Sequence, residues 1–196
     1  MKIILFSRVL VTMLVMVAGA RAGENLMVNG DLSADKPGFG SSSSKEFLEC
    51  RMVEGKLSPA DKRCLEVEMK QATPEKQSYT VGYQGRLPVD PTRKYRLRVK
   101  ALVPEPYIIT CGGYAYAEGS GKPIPKPDGK GVWQYHLIEI NKTPIIAWQD
   151  FETTIGPQGS DCKTIWDPQA TSISMNFWII GGTGKIYFAD FAFEEF

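Results

Sequence analysis

The last quarter of the chain alternates polar and apolar residues with a period of two and then breaks at a run of glycines. Thr171–Ile180 alternates until its final Ile-Ile pair, Gly181–Lys185 interrupts it, and Ile186–Phe193 follows as a second run rich in aromatic residues. A period of two places successive side chains on opposite faces of a strand, and a glycine-rich break marks a turn. The pattern therefore predicts a half-buried antiparallel hairpin at the carboxyl end.

Similar alternation recurs along the rest of the chain, between breaks rich in glycine and proline. The predicted strands are residues 25–32, 47–53, 64–70, 78–84, 94–103, 107–118, 132–140 and 145–154, and residues 36–45 are predicted to be a loop. Many short strands with little helical periodicity are typical of a sandwich or barrel of antiparallel strands. We therefore predict an all-β fold, a two-sheet antiparallel β-sandwich of the jelly-roll type.

Residues 1–22 have the pattern of a secretory signal peptide. Lys2 and Arg8 supply a positive amino-terminal region, Val9–Ala18 is almost wholly apolar, and Ala20–Ala22 matches an A-x-A cleavage site. The apolar run is too short for a membrane span, which needs about 20 apolar residues. We therefore expect a secreted protein, extracellular or periplasmic, without membrane insertion, in which residues 23–196 form a single domain.

The charge pattern gives no reason to expect nucleic acid or an anionic membrane as a partner. The first 22 residues carry three of the 23 basic residues and no acidic residue, so the rest of the chain has 20 basic against 22 acidic residues. Nearly balanced charge without like-charged blocks lacks the field that attracts polyanions. We expect a monomer with no nucleic-acid partner.

Four cysteines, Cys50, Cys64, Cys111 and Cys162, lie in the part of the chain predicted to be exported. Disulfides are the default in an oxidising compartment, and four cysteines allow three connectivities. We favour Cys50–Cys64, which closes a short loop, and this choice leaves Cys111–Cys162 by elimination. A zinc site is disfavoured because the chain has no C-x-x-C pair and its single histidine, His136, has no ligand partner at a usual spacing.

Four segments resemble the CenC-like carbohydrate-binding modules, a group that includes families four, nine and twenty-two. Asn25–Leu32 is similar to their N-L-x-x-N-G-D-F opening, and Lys94–Ala101 is similar to their Y-x-L-x-F-x-A-K strand. Trp148–Thr154 loosely resembles their W-x-x-x-x-x-x-F strand, and Gly184–Phe193 resembles their closing G-x-x-Y-x-D-D-V-x-L segment. The resemblance implies a jelly-roll β-sandwich that binds a polysaccharide or an oligosaccharide.

The same resemblance implies a structural calcium between the opening turn and the closing strand. Calcium takes six to eight oxygen ligands. Asp31 and Asp190 would supply carboxylates, and carbonyl groups near Asn29 would complete the shell. An equally consistent interpretation is that Asp31 only hydrogen-bonds within its own turn, since Ala189 stands where the family has a further aspartate.

Sugar binding needs aromatic rings that stack on pyranose rings, beside polar groups that bond to hydroxyl groups. Trp178 shares its predicted strand face with Asn176 and two serines, which favours an exposed position for this ring. The predicted carbohydrate-binding residues are Trp178, Asn176, Tyr114, Tyr116, Trp133, Tyr135, Arg96, Arg98 and Gln84, with Arg96, Arg98 and Gln84 on the same sheet. For Trp133 and Tyr135 core packing stays open, because their predicted face includes both Leu137 and Glu139.

Catalysis is the rival function class. A glycosidase needs two carboxylates that face each other across a cleft, and nothing in the sequence pairs two of them. There is no G-x-S-x-G motif, and His136 lies among apolar residues. We therefore predict a non-catalytic protein. The alternatives are a structural or adhesive protein-binding sandwich at the cell surface and a jelly-roll enzyme that degrades polysaccharide.

Overall fold

The computed structural model describes residues 23–28, 30, 32, 38–54 and 63–196, which form strands and loops without an α-helix. The strands are β1 (Phe39–Ser41), β2 (Leu48–Val53), β3 (Cys64–Met69), β4 (Tyr79–Pro88), β5 (Tyr95–Val103), β6 (Ile108–Tyr116), β7 (Gln134–Asn141), β8 (Ile145–Gly156), β9 (Thr164–Ile165), β10 (Ser172–Ile180) and β11 (Gly184–Glu195). The predicted signal peptide lies outside the described residues.

The strands form two sheets. One sheet has five strands in the order β1-β4-β10-β6-β7, and the other has six in the order β2-β3-β11-β5-β8-β9. All pairs are antiparallel except the short β8–β9 pair, which is parallel. The predicted antiparallel two-sheet sandwich is confirmed. Within the described part of the chain, no helix is long and apolar enough to cross a membrane.

The core lies between the sheets and is rich in aromatic rings. Along β10, side chains at alternate positions are buried, and Phe177 is 1 % exposed. Its ring centroid lies 4.4 Å from that of Phe188 on β11, in the other sheet, and 5.9 Å from that of Phe39 on β1. Full burial of a side chain of this size stabilises a fold by roughly 1.5–3 kcal/mol, so these contacts hold the sheets together.

The predicted hairpin at the carboxyl end is wrong, although both of its strands exist. β10 pairs with β4 and β6 in the five-stranded sheet, whereas β11 pairs with β3 and β5 in the six-stranded sheet. The glycines between Ile180 and Lys185 carry the chain from one sheet to the other. Alternation identifies a half-buried strand, but it does not identify the strand's partner.

The two ends of residues 23–196 lie side by side. Asn25 forms an antiparallel bridge with Glu194, and the Leu26 N–H donates to the Phe193 carbonyl at 2.8 Å. The opening segment is joined by backbone hydrogen bonds and by the side chain of Asn25. The Asn25 Nδ2 donates to the Phe191 carbonyl at 2.9 Å, and its Oδ1 accepts from the Phe193 N–H at 3.0 Å.

One strand formed where a loop was predicted. β1 lies within the serine- and glycine-rich residues 36–45, of which 36 and 37 are outside the described residues, and it pairs with β4 along the edge of the five-stranded sheet. Its one large apolar residue, Phe39, is 2 % exposed in the core. Burial of this ring outweighs a local composition that favours a loop.

The favoured Cys50–Cys64 disulfide is wrong. On paired strands β2 and β3, Cys50 lies opposite Val67 and Cys64 lies opposite Val53. The two cysteines are therefore three positions out of register, and three positions along a strand reverse the direction of the side chain. Cys50 packs against the core while Cys64 belongs to a cluster on the outward face, and both thiols are free.

The Cys111–Cys162 disulfide is wrong as well. Cys111 lies in the core on β6, with its Sγ 3.9 Å from the Met175 Sδ. Cys162 lies in the loop after β8, where its sulfur is next to Gly156. Both are free thiols. Elimination assigned this pair from the sequence, but the fold places Cys111 within the five-stranded sheet and Cys162 in a loop between two strands of the other sheet.

We expect the cysteines to react with alkylating reagents according to burial. Burial raises the pKa of Cys50 to about 12 and that of Cys64 to about 11, and it raises the pKa of Cys111 as well. Because the thiolate is the reactive form, these three should resist iodoacetamide at pH 8 in the native protein. Mass spectrometry should show at most one label, on Cys162, before unfolding and four labels after it. A disulfide-linked peptide in a non-reducing digest would contradict this.

Candidate functional site

The outward face of the five-stranded sheet, called here the aromatic face, carries rings and uncharged polar groups. Its side chains alternate with core residues along the strands. They are Thr80, Gln84 and Arg86 on β4, Thr110, Tyr114 and Tyr116 on β6, Gln134, His136 and Glu139 on β7, and Ser174, Asn176 and Trp178 on β10. Five of the nine residues predicted to bind sugar lie on this face: Trp178, Asn176, Tyr114, Tyr116 and Gln84.

Trp178 occupies the middle of the face. Its strand neighbours on either side are Thr80 and Thr110, which have short side chains, and the indole is partly exposed. The Tyr114 ring meets the indole edge-on, at 5.7 Å between centroids and 83° between planes. The His136 ring lies 5.9 Å away at 45°. Contacts with two other rings restrict the indole's rotation, so it forms a preorganised platform.

A row rich in glycine crosses all five strands beside Trp178. Register places Gly40, Gly82, Asn176, Gly112 and His136 next to one another, from β1 to β7. Three of these five residues are glycines, so few side chains project from this row, which is called here the trough. Four spacings of roughly 4.8 Å between adjacent strands make it about 19 Å long. It ends at β1 and β7, which are the edge strands of the sheet.

Two amide groups form part of the floor of the trough. The Asn176 Oδ1 lies 2.7 Å from where a Cβ at Gly82 would be, and the Gln84 Nε2 lies 2.7 Å from where a Cβ at Gly40 would be. The Ser174 Oγ accepts from the Asn176 Nδ2 at 3.2 Å and from the Tyr114 N–H at 3.1 Å. The glycines therefore make room for polar groups that both donate and accept hydrogen bonds.

Arg86 closes one side of the face. Its guanidinium lies 3.6 Å from the centroid of the Tyr116 ring, in a cation–π contact. Its Nη1 donates to the Ser120 carbonyl at 2.7 Å, and its Nη2 lies 3.3 Å from the Gly121 carbonyl. These contacts hold the glycine- and proline-rich loop after β6 against the face and use much of the donor capacity of the guanidinium.

Arg96 and Arg98 do not lie on the aromatic face, contrary to the prediction. Both are on β5, in the six-stranded sheet, and they point away from the core. The Arg98 Nη2 donates to both carboxylate oxygens of Glu194 at 2.7 and 2.8 Å, and the Arg96 Nε lies 3.4 Å from Glu152. Alternation placed them correctly on a solvated face, but it could not specify the sheet.

Tyr135 and Trp133 were predicted to bind sugar, with core packing as the alternative. Both pack in or against the core of the sandwich. Tyr135 is 3 % exposed, and its hydroxyl accepts from the Asp167 N–H at 2.7 Å. Burial raises its pKa to about 12. Trp133 stacks on the Tyr135 ring with 6.4 Å between centroids and packs against the core.

A β-bulge on β7 explains why the prediction went wrong there. Cys111 lies opposite Ile138 and Gly112 lies opposite His136, so Leu137 is an extra residue without a partner. An extra residue reverses the alternation beyond it, which moves Glu139 to the face of His136. Sequence reasoning missed His136, which is exposed on the aromatic face rather than buried, and it also missed Arg86.

The structure describes one of the three residues predicted to bind calcium, Asp190. Asn29 and Asp31 lie outside the described residues. The Asp190 Oδ2 lies 3.1 Å from the Lys100 Nζ, so a positive charge already accompanies this carboxylate. Among the residues that the structure describes, no group of three His, Cys, Asp or Glu side chains is arranged to hold a metal ion. The calcium site implied by the resemblance stays a prediction, because two of its three predicted ligand residues lie outside the described part of the chain.

The chain matches no known family model and no curated protein sequence. Its fold is similar to that of the enzymatically active domain of bacteriophage CBA120 tailspike protein 4, with 11 % identity, a TM-score of 0.59 and 88 % of this chain covered. The match spans 21 % of the tailspike chain, about a fifth of its length.

Two further similar structures are carbohydrate-binding modules matched over almost their whole length. One is the xylan-binding domain CBM22-1 of Paenibacillus barcinonensis Xyn10C, with 7 % identity, a TM-score of 0.57, and 90 % of this chain and 97 % of that chain covered. The other is a family 61 module solved with β-1,4-galactotriose, with 12 % identity, a TM-score of 0.54, and 88 % and 99 % covered. At these identities the likeness establishes the fold: this chain is a β-sandwich of the jelly-roll type found in carbohydrate-binding modules.

Proposed function

We propose that this chain is a secreted, non-catalytic protein that binds an oligosaccharide or a polysaccharide on the aromatic face. The observation that carries the proposal is the position of Trp178, an accessible indole held between two rings beside a trough of amides and hydroxyl groups. A pyranose ring has an apolar face and a rim of hydroxyl groups. A protein that binds a pyranose ring therefore needs a flat aromatic ring with hydrogen-bonding groups beside it.

The trough accounts for the shape of the proposed ligand. It runs across the strands for about 19 Å, from an estimate of roughly 4.8 Å per strand, and ends at the two edge strands. An extended chain of several sugar rings can lie along it with one ring on Trp178. The Asn176 Oδ1 would accept from ring hydroxyl groups, and the Gln84 amide would both accept and donate. The solved structures support this reading, since a family 61 module of the same fold was solved with β-1,4-galactotriose.

The charges of the aromatic face favour an uncharged glycan. Arg86 already stacks on Tyr116 and donates to a loop carbonyl, and Glu139 lies on the edge strand β7 near the His136 Nδ1, at 3.7 Å. The remaining polar side chains of the face are hydroxyl and amide groups, apart from His136. The arginine of this face is already engaged in other contacts, so the face offers little attraction to a uronate or sulfate group. The ligand class we propose is therefore neutral.

We expect the protein to retain neutral polysaccharides on a glycan array or in affinity electrophoresis, with a dissociation constant that changes less than about twofold between 20 mM and 1 M NaCl. Exposed charge interactions weaken strongly over this range, because the screening length falls to about 3 Å at 1 M, whereas stacking persists. Absence of binding to every neutral glycan would contradict the proposal. Selective loss of binding at high salt would instead favour an acidic ligand.

One observation favours an enzyme: the fold is similar to that of a tailspike domain described as enzymatically active. Among the described residues that form the aromatic face, Glu139 is the single carboxylate. A glycosidase requires a pair of them. We therefore expect no turnover in an assay panel of polysaccharides. Turnover that disappears in His136→Ala would show that the site is catalytic.

A further inference from the structure

We propose that Arg86 holds the loop after β6 as a barrier beside the trough, and that this barrier makes the protein selective for unbranched glycans. The barrier consists of the Arg86 guanidinium, the Tyr116 ring and the loop backbone at Ser120 and Gly121. Because such selectivity presupposes glycan binding on the aromatic face, the proposal rests on the function proposed above. Arg86 is then a positioning residue, which acts through the loop that it holds.

The Arg86 side chain reaches across the strand that carries Trp178. Arg86 is on β4, where it lies opposite Ser174 of β10. Its guanidinium carbon lies 3.6 Å from the centroid of the Tyr116 ring, which belongs to β6 on the far side of β10. The Arg86–Tyr116 pair therefore spans three neighbouring strands of the five-stranded sheet.

This pair runs alongside the trough. Ser174 and Asn176 lie two positions apart on the same face of β10, where their side chains share a hydrogen bond, and Asn176 belongs to the trough. Two positions along a strand correspond to about 7 Å. Trp178 lies two positions beyond Asn176 in the opposite direction. A sugar chain that lies in the trough and contacts Trp178 therefore has the Arg86–Tyr116 pair on its other side.

Arg86 also fixes the tip of the loop after β6. Its Nη1 donates to the Ser120 carbonyl at 2.7 Å, and its Nη2 lies 3.3 Å from the Gly121 carbonyl. The far end of the loop is held separately by Ile124, which is 6 % exposed in the core and whose N–H donates to the Ala115 carbonyl at 2.8 Å. The loop thus has one anchor in the core and a second one, Arg86, on the aromatic face.

Local hydrogen bonds shape the loop so that it presents two carbonyl groups to one guanidinium. The Ser120 N–H donates to the Ala117 carbonyl at 3.1 Å, its Oγ donates to the Lys122 carbonyl at 2.7 Å, and Gly119 has a φ of +65°. A guanidinium is planar, carries its donors in a fixed fork and can stack on a ring at the same time. A lysine carries the same charge without this fork, so it cannot make the same set of contacts.

A barrier on one side of the trough limits what a bound sugar chain can carry. Branches on an extended polysaccharide project to its sides, and those on the side of Arg86 would collide with the guanidinium, the tyrosine ring or the loop. A densely branched chain has branches on both sides, so turning it over does not avoid the collision. Steric conflict with the wrong ligand is a common source of specificity. We therefore expect unbranched backbones to bind and densely branched ones to be excluded.

Pairs of neutral glycans that share a backbone test the selectivity: mannan and galactomannan, linear xylan and densely substituted arabinoxylan, and cello-oligosaccharides and xyloglucan oligosaccharides. For each backbone that the wild-type protein binds, the dissociation constant of the branched member should be at least about tenfold higher, and Arg86→Ala should reduce this ratio to less than about threefold. Arg98→Ala, on the other sheet, is the matched control and should keep the wild-type ratio. Equal binding of both members by the wild type, or an unchanged ratio in folded Arg86→Ala, would overturn the proposal.

Hydrogen exchange tests the positioning role of Arg86 without any glycan. In Arg86→Ala the Ser120 and Lys122 amides, which bond within the loop, should exchange at least about tenfold faster, whereas the core-anchored Ile124 amide should not change. Arg86→Lys should give intermediate rates. Unchanged exchange in Arg86→Ala would overturn the role of Arg86. If the wild type bound none of the glycans, the proposed function would fail and the selectivity with it, whereas faster exchange would still establish that Arg86 positions the loop.

Discussion

Replacing Trp178 by alanine should weaken polysaccharide retention by at least about 30-fold, while the protein stays folded. Aromatic residues at the centre of binding sites commonly contribute 2 kcal/mol or more, and every 1.4 kcal/mol is a tenfold change in affinity. The indole is the platform of the aromatic face, and the Tyr114 and His136 rings contact its periphery.

Two variants control for indirect effects. Trp178→Phe keeps an aromatic ring and should retain part of the binding. Trp148→Ala removes an indole from the outward cluster on the six-stranded sheet and should leave retention unchanged. Affinity electrophoresis gives the dissociation constants, and circular dichroism reports whether each variant is folded. Undiminished retention by a folded Trp178→Ala variant would place the binding surface elsewhere on the molecule.

Replacing Gly113 by alanine should destabilise the domain by about 3 kcal/mol, the upper end of the usual cost of overpacking. A Cβ at Gly113 would lie 1.6 Å from the Ser174 carbonyl oxygen, which belongs to the backbone of the adjacent strand β10. A backbone atom in a paired strand cannot rotate away as a side chain can. The strands would have to separate locally, next to the Ser174 side chain that supports Asn176 and Tyr114.

Denaturant titration measures this effect directly, and it should correspond to a fall of roughly 6–12 °C in the thermal midpoint of a domain of this size. Gly182→Ala is the matched control, because a Cβ there meets nothing within 4 Å. It should change stability by less than about 0.5 kcal/mol, as most surface substitutions do. Similar stabilities for the two variants would show that the close approach of β6 to β10 is not required.

Much of the fold could be predicted because a strand that is buried on one face alternates apolar and polar residues in the sequence. β10 was recognised from its alternation, and the structure buries Ile173, Met175, Phe177 and Ile179 on one side as that pattern requires. The juxtaposition of the two ends was also predictable, and both backbone hydrogen bonds and the Asn25 side chain join them. β1 was not predictable, because three residues in a serine-rich segment are too few to show a period.

The candidate site was only partly predictable. Trp178 and Asn176 could be assigned to a polar face because they alternate with apolar residues within one strand. Arg96 and Arg98 alternate just as clearly, yet they face solvent on the other sheet. The extra residue Leu137 reverses the pattern in the middle of β7, so His136 and Glu139 joined a face to which simple alternation had assigned only one of them.

Alternation along the chain was enough to predict a sandwich of short antiparallel strands, the buried residues of most strands, and an indole on a polar face. The assignment of β10 and β11 to different sheets, the separation of the four cysteines and the contact of Lys100 with Asp190 became apparent only in the folded molecule. The difference lies in the range of the interactions. Alternation records the difference between water and core on the two sides of a single strand, and neighbouring residues carry it. Strand partners, bulges and ion pairs depend on contacts between residues that are distant in the chain, and no local pattern specifies them.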